Sequence, residues 1–159
     1  MHDPIYLTDE HRMLRNQLRR FIEAEVTPNG DEWEAAGMVP RESLKRMGEL
    51  GFFGIRYPES FGGAELDTIA TMVLSEEMGR STFGGFAITV LVHTDMASPH
   101  LVNAGNDEQK VRFLEKVVSG ELITAVGVTE PDAGSPDEGY FPIPRSAGPY
   151  RHPTGTYCH

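Results

Sequence analysis

The chain has 159 residues, of which 39% are apolar and 24% are charged, a composition typical of one globular domain with a real core. Its formal net charge of -10 argues against nucleic acid or an anionic membrane surface as the main partner, because either would need a basic face. The single cysteine, Cys158, excludes an intrachain disulfide. The start has no basic or apolar signal region and no apolar run is long enough for a membrane span, so the chain is expected to be cytoplasmic.

Helical periodicity dominates the first 120 residues, because apolar side chains recur three and four positions apart. Turn formers such as Asn29-Gly30 and "YPESFGG" separate the periodic segments. Thr8 can cap the first helix, and Asn106 with Gln109 forms a capping-box pattern at the last. The predicted helices cover residues 8–26, 31–36, 40–50, 64–80, 83–102 and 106–119.

The apolar faces of these helices predict a common core. The helix over 83–102 is apolar all round, so it is expected to be buried on most sides, and Pro99 should kink or end it. The arginine-rich stretch "HRMLRNQLRR" is interpreted as a solvated face, since acidic residues follow at once. The predicted core includes Leu14, Leu18, Phe21, Leu50, Ile69, Val73, Leu91 and Leu114.

After Gly120 the pattern changes character. Ile123, Thr124, Val126 and Val128 favour a strand, whereas no period persists from residue 136 onward, where disorder is expected. The sequence therefore predicts a helical domain over 1–119, the start of a sheet over 120–135 and a tail over 136–159. The fold class is mainly α: a bundle of about six helices followed by one strand of an incomplete β domain and a disordered tail.

Histidines and glycine pairs offer little chemistry. His93 and His100 are two helical turns apart, but no cysteine or carboxylate cluster completes a metal shell, so no metal is expected. The pairs Gly62-Gly63 and Gly84-Gly85 match neither a dinucleotide fingerprint nor a phosphate loop, and they are interpreted as turns.

The stretch "VTEPDAGSP", Val128 to Pro136, has the composition of a ligand-binding loop. Pro131 makes it rigid, Gly134 allows close approach of a ligand, and Thr129 and Ser135 offer hydroxyl donors. Taken alone, a loop of this composition is more often an ordinary turn than a binding site. Its position directly after a predicted strand favours the binding interpretation.

Four stretches resemble the N-terminal half of the acyl-CoA dehydrogenase family, in the family's order and spacing. They are "LTDEHRMLRNQLRRFIEAEVTP", "LGFFGIRYPESFGGAELD", "SEEMGR" and "GNDEQKVRFLEKVVSGELITAVGVTEPDAGS", so that the likeness runs from about Leu7 to Ser135. The family's fold has an N-terminal helical domain, a middle β domain and a C-terminal four-helix domain, with FAD between the last two. The resemblance implies the helical domain and the first strand of the β domain.

The resemblance also implies site residues. The family's signature is Thr-Glu-Pro-x-Ala-Gly-Ser-Asp, and the serine lies near both the flavin and the acyl-CoA, so Ser135 is also the implied substrate-binding residue. This chain departs from the signature at Pro136, where the family has aspartate, and the tail carries no further resemblance. The implied cofactor-binding residues are Val126, Gly127, Val128, Thr129 and Ser135.

The implied activity is α,β-dehydrogenation of an acyl-CoA thioester, with a carboxylate base from the C-terminal domain and FAD as the hydride acceptor. No residue here matches that base, and Glu130 is given a structural role in the loop, so the chain is expected to be a truncated, inactive fragment with no catalytic residue. Two alternatives stay open: a relative such as an acyl-CoA oxidase or flavin monooxygenase, and a non-catalytic helical module that pairs with a full-length relative. The resemblance also implies that full-length members form homo-oligomers and that this chain could associate.

Overall fold

A computed structural model describes residues 6–128 of the chain. Two short π-helical segments interrupt the helices: Ile22–Val26 continues α1, and Val92–Ala97 joins α5 to α6, so that the described residues form six continuous helical runs and a 3-10 turn at Glu59–Phe61. The predicted mainly α bundle of about six helices is confirmed. The α-helices are α1 (Asp9–Phe21), α2 (Gly30–Ala36), α3 (Arg41–Glu49), α4 (Thr68–Arg80), α5 (Gly84–Leu91), α6 (Ser98–Ala104) and α7 (Asp107–Val118).

The caps predicted at the first and last helices are present. The Thr8 hydroxyl accepts the His11 N–H at 3.3 Å, and the Thr8 N–H donates to His11 Nδ1 at 3.1 Å, so that a histidine completes the capping box. At α7, the Gln109 N–H donates to Asn106 Oδ1 at 2.8 Å, and the Asn106 N–H donates to Gln109 Oε1 at 2.9 Å. Each pair satisfies N–H groups that a helix start leaves without partners.

Helix α4 begins at Thr68 rather than at Ala64 as predicted, because Asp67 is its cap. Asp67 Oδ1 accepts the Ala70 N–H at 3.0 Å and lies 2.8 Å from His11 Nε2. These two hydrogen bonds, the Ala70 one first, hold the pKa of Asp67 below its usual value. Because His11 Nδ1 already accepts from Thr8, Nε2 carries the proton and donates, so the starts of α1 and α4 are joined.

The core lies between α1 and α4, which pack against each other, and it extends to α3 and α5. Leu114 is fully buried as predicted, although it belongs to a second cluster with Tyr57, Val117 and Val118. Ile69 and Leu91 are partly buried against the main cluster. The main cluster includes Leu14, Leu18, Phe21, Ile22, Val26, Leu44, Met47, Phe52, Phe53, Ala70, Val73, Leu74, Met78, Phe86 and Val90.

The prediction that Leu50 belongs to the core is wrong, since 40% of it is exposed. Leu50 follows the last residue of α3, and the chain then turns at Gly51 with a φ of 81°, so it no longer continues the face formed by Leu44 and Met47. Phe52 and Phe53, which come after the turn, are buried instead.

The predicted helix over 83–102 is present but differs in two ways. The helical run is interrupted by the π-helical segment Val92–Ala97. Pro99 follows this segment and lies in the first turn of α6. A proline cannot donate to the carbonyl four residues earlier and collides with it, so the wider turn lies where a regular helix would be disrupted. The prediction of burial on most sides is wrong, because Ile88 is 55% exposed and Met96 is 51% exposed.

The interpretation of the α1 arginines as a solvated face is wrong for two of them. Arg15 is buried, with Nη2 2.6 Å from Glu76 Oε2 and Nε 3.4 Å from Glu77 Oε1. Arg19 forms a two-pronged pair with Glu77, at 3.0 and 2.9 Å. Glu77 on α4 is itself fully buried, so these charges are compensated across the α1–α4 contact.

Only one of the two glycine pairs forms a turn. Gly62 ends the 3-10 turn with a φ of 82°, and a Cβ added at Gly63 would overlap the backbone of Tyr57. Gly84 and Gly85 instead begin α5, where the Gly85 N–H donates to Glu34 Oε1 at 2.7 Å. The turn predicted for this second pair is wrong, because a carboxylate from α2 caps a helix start there.

Beyond α7 the chain carries no strand or helix from Ile123 to Val128, so the predicted strand does not form in this described stretch. Strand structure requires a ladder of hydrogen bonds to a neighbouring strand, which a β propensity alone does not supply. The chain divides into a unit ending at Val126 and a second unit, of which only Gly127 and Val128 are described. The tail over 136–159 lies outside the described residues, and the domain limits at 119 and 135 stay predictions. Over the described range, no helix is long and apolar enough to cross a membrane.

Candidate functional site

The candidate site is the end of the described chain, Val126 to Val128, which the family resemblance assigns to flavin contact. Val126 is 41% exposed and Val128 is 81% exposed. A Cβ added at Gly127 would meet no atom within 4 Å, so space is open beside its backbone. Thr129 and Ser135, the other two predicted cofactor residues, lie outside the described residues.

His93 lies in the π-helical turn that joins α5 to α6. It is 1% exposed, and the Phe53 ring contacts it edge-on with ring centroids 4.5 Å apart. Burial lowers the pKa of His93 below its usual value, which keeps the ring neutral. The interpretation of this residue as a core histidine is therefore confirmed, whereas His100 on α6 is exposed.

Both nitrogens of His93 are hydrogen-bonded. Nδ1 lies 3.0 Å from the backbone N of Thr124, and Nε2 lies 3.2 Å from the carbonyl oxygen of Val117. A backbone N–H can only donate and a carbonyl can only accept, so Nδ1 is the acceptor and Nε2 carries the proton. The imidazole thus bridges the last turn of α7 and the segment that leaves it.

The Thr124 hydroxyl strengthens this attachment. Its Oγ1 lies 2.9 Å from His93 Nδ1 and 3.3 Å from the His93 carbonyl oxygen. Thr124 is therefore held to His93 through both its backbone and its side chain. Sequence reasoning did not find this pair, since the two residues are 31 positions apart and nothing local in either segment indicates the contact.

A second group of buried polar side chains lies on the other side of the π-helical turn. The Tyr57 hydroxyl lies 2.6 Å from Ser98 Oγ and donates to the Thr94 carbonyl at 3.0 Å, and the Ser98 hydroxyl donates to the His93 carbonyl. Burial raises the pKa of Tyr57, more than the Ser98 hydrogen bond lowers it. These hydroxyls satisfy backbone carbonyls of the turn, so they fix the position of His93.

By its resemblance to the acyl-CoA dehydrogenase family, the sequence also predicts a substrate-cavity wall around Val90, His93, Thr94 and Ala97. The structure buries the first three of these side chains, and Thr94 lines a cavity together with Tyr57, Asp95 and Pro99. On the same helical run Ile88, Asp95 and Met96 are exposed. Within residues 6–128, no three His, Cys, Asp or Glu side chains lie close enough to hold a metal ion.

The sequence profile described as acyl-CoA dehydrogenase, N-terminal domain, matches residues 8–121. The chain belongs to the acyl-CoA dehydrogenase family.

Individual relatives agree with this assignment. Long-chain specific acyl-CoA dehydrogenase of Mus musculus, a mitochondrial protein by its name, is 36% identical over 132 residues, which are 83% of this chain and 30% of the mouse protein. The 3-(aryl)acrylate reductase of Clostridium sporogenes is 33% identical over 146 residues, or 92% of this chain and 38% of that protein. The chain thus spans about a third of the length of these relatives.

Solved structures have the same helical arrangement. An acyl-CoA dehydrogenase from Geobacillus kaustophilus, 38% identical, superposes with a TM-score of 0.77 over 84% of this chain and 35% of its own length. An acyl-CoA dehydrogenase from Bacillus anthracis, complexed with FAD, is 35% identical and has a TM-score of 0.75 over 84% of this chain and 23% of its own. The similarity therefore covers the helical domain and about a quarter to a third of each relative.

Proposed function

We propose that this chain supplies the N-terminal helical domain and the first flavin-contacting segment of an FAD-dependent acyl-CoA dehydrogenase. The observation that supports this proposal is the family match over residues 8–121, which is followed five residues later by the exposed apolar segment that begins at Val126. FAD, when bound, supplies the acceptor for the hydride that leaves the β carbon of an acyl-CoA thioester. The cytoplasmic location stays a prediction from the sequence.

The residues of this chain contribute binding rather than proton transfer in this proposal. Val126, Gly127 and Val128 offer an apolar surface and backbone groups to the ring system, and Thr129 and Ser135 add hydroxyl donors. We also assign Ser135 to substrate binding. We assign no catalytic base within residues 6–128, and the exposed side chains Ile88, Asp95 and Met96 are the surface that meets the acyl chain.

A fusion protein tests this function. Residues 1–135 of this chain are joined to the part of the Geobacillus kaustophilus acyl-CoA dehydrogenase that follows the matching serine, with that enzyme itself as the control. We expect the fusion to purify yellow, with stoichiometric FAD, and to reduce an electron acceptor when an acyl-CoA is added. A fusion that melts cooperatively but binds no FAD would contradict the proposal.

The alternative, a helical module that pairs with a full-length relative, predicts a different result. The 159-residue chain would then be captured by that relative in a subunit-exchange experiment, without flavin of its own. The exposed apolar residues Ile88 and Met96 are compatible with such pairing. A chain that stays separate from the relative at high concentration would exclude the alternative.

A further inference from the structure

We propose that His93 is a positioning residue for the flavin-contacting segment, and that it acts by holding Thr124. The proposal rests on the function proposed above. His93 contacts Thr124 through a backbone hydrogen bond of 3.0 Å and through two short distances to its hydroxyl, of 2.9 and 3.3 Å. Thr124 in turn lies two residues before Val126, the first residue assigned to the flavin.

Chain geometry explains why this attachment matters. One residue adds at most about 3.6 Å of chain, so that two residues place Val126 within about 7 Å of its attachment at Thr124. Earlier contacts hold the chain farther upstream: Arg41 Nη2 donates to the Glu121 carbonyl at 3.1 Å, and the Leu122 N–H donates to the Lys116 carbonyl at 2.9 Å. The His93 contact brings the fixed point two residues closer to the candidate site.

The presence of a histidine at position 93 indicates a specific role for its ring nitrogens, because the side chain is buried against an apolar ring. His93 is 1% exposed and packs on Phe53, and an apolar side chain would fill such a place without the cost of burying an imidazole. That cost is offset only when both ring nitrogens find partners, which are Val117 on one side and Thr124 on the other. The Val117 contact stabilises the bundle, whereas the Thr124 contact fixes the segment that leaves it.

A pair of substitutions separates these two contacts. In His93→Asn the side-chain oxygen takes the place of Nδ1, so that an acceptor for the Thr124 N–H is kept and the donor to Val117 is lost. In His93→Gln the terminal amide takes the place of Nε2, so that the donor to Val117 is kept and the acceptor is lost. Thr124→Val removes only the hydroxyl and keeps the backbone N–H.

The first experiment is amide hydrogen exchange, followed by NMR, on the 159-residue chain. We expect the Thr124 amide to exchange at least tenfold faster in His93→Gln than in the wild type, and within about twofold of the wild type in His93→Asn and Thr124→Val. The amide of Leu114, in the middle of α7, reports whether the bundle stays folded. Equal protection of Thr124 in wild type and His93→Gln, or equal loss in both His93 variants, would overturn the proposal.

A wild-type measurement keeps the proposal testable if a variant fails to fold. A hydrogen bond from the Thr124 N–H to His93 Nδ1 produces a scalar coupling between the two nitrogens, and it places the ring proton on Nε2. We expect to observe both in the ¹⁵N-labelled chain. A ring protonated on Nδ1, or a folded chain without the coupling, would overturn the proposal.

The second experiment places the same substitutions in the fusion protein and measures FAD affinity by flavin fluorescence. We expect His93→Gln to raise the Kd for FAD at least tenfold, and His93→Asn to restore most of that loss. If the unsubstituted fusion binds no FAD, the proposed function fails while the exchange experiment still tests the contact. If the unsubstituted fusion binds FAD and His93→Gln binds it equally well, the positioning role fails.

Discussion

Gly48, in α3, lies against the chain that leaves the end of α7. A Cβ added there would overlap the backbone of Ser119, whereas one added at Gly79, in α4, would meet no atom within 4 Å. We expect Gly48→Ala to lower the free energy of unfolding by about 1–3 kcal/mol, since backbone must move. Gly79→Ala should raise it by about 0.5–1 kcal/mol, because alanine favours a helix. Urea unfolding measures both, and changes of the same sign would contradict this explanation.

Protonation of His93 makes stability depend on pH. Burial lowers the pKa of His93 in the folded chain below 6.5, the usual value, which the unfolded chain keeps. The unfolded state therefore takes up a proton at higher pH than the folded state, so the contribution is complete above 6.5 and is lost as the pH falls from there towards the folded pKa. Asp67, whose pKa is lowered, contributes in a separate window below its usual 3.8.

We expect the urea midpoint of the wild type to fall more steeply than that of His93→Asn between about pH 7 and about pH 5. The comparison with His93→Asn removes the contributions that the two proteins share. Parallel pH dependence of the two proteins would show that His93 takes up its proton equally well when folded.

Single residues also show what sequence alone can predict. Thr8 and Asn106 were predicted as caps, because a cap is a local pattern of a side chain and the N–H group three residues later. The partner of Thr8 could not be predicted as a histidine. The contact between His93 and Thr124 could not be predicted either, since it depends on how α7 folds back against the π-helical turn. Thr129 and Ser135, which lie outside the described residues, stay predictions.

At the level of elements, the contact between α1 and α4 contains a buried carboxylate. Glu77 is fully buried, and both of its oxygens lie within 3.0 Å of Arg19 nitrogens. Glu76, beside it, is half exposed although it pairs with Arg15 at 2.6 Å. The adjacent Glu76 and Glu77 therefore allow a half-exposed carboxylate to be compared with a buried one on the same helix.

We expect Glu77→Gln to lower the free energy of unfolding by about 3–5 kcal/mol, because Arg19 and the buried Arg15 each lose a charged partner, although Arg15 keeps its pair with Glu76. Water already solvates the carboxylate of Glu76, so Glu76→Gln should lower the free energy of unfolding by only about 0–1 kcal/mol. Chemical unfolding with circular dichroism provides both values. Equal effects of the two substitutions would mean that burial does not determine the strength of these pairs.

Periodicity predicted the helices because the apolar residues of a helix that packs on the core recur at helical spacing in the sequence. It did not predict that Arg15 and Arg19 turn inward, since a solvated arginine and a paired one have the same local pattern. It also missed the π-helical turn at Val92–Ala97, although Pro99 marked the place of an irregularity. Leu50 was assigned to the core because its spacing continues α3, whereas the helix ends one residue before it.

For the whole molecule, the uncovered apolar surface predicts association. Ile88 and Met96 are both more than half exposed and lie two helical turns apart on one run. Apolar side chains that remain in contact with water favour contacts between molecules. We expect light scattering of the 159-residue chain to show association that rises with concentration, and a double change of Ile88 and Met96 to glutamate to reduce it. The matched control is Val111→Glu on α7, where a 70% exposed valine lies on another helix; an equal reduction there would contradict the assignment to the Ile88 and Met96 face.

The 159-residue chain alone is expected neither to bind FAD stably nor to oxidise an acyl-CoA. A flavin site encloses most of a large ligand between preformed walls, and of the residues proposed to contact the flavin only Val126 to Val128 belong to the described part of the chain. Thr129 and Ser135 could each add about 1 kcal/mol of hydrogen bonding, against several kcal/mol for immobilising the ligand. Pro136→Asp alone should therefore restore nothing, whereas the fusion protein should bind. Gel filtration of each protein with added FAD measures this difference, and stoichiometric flavin in the isolated chain would show that the helical domain contributes far more to the site than its open segment indicates.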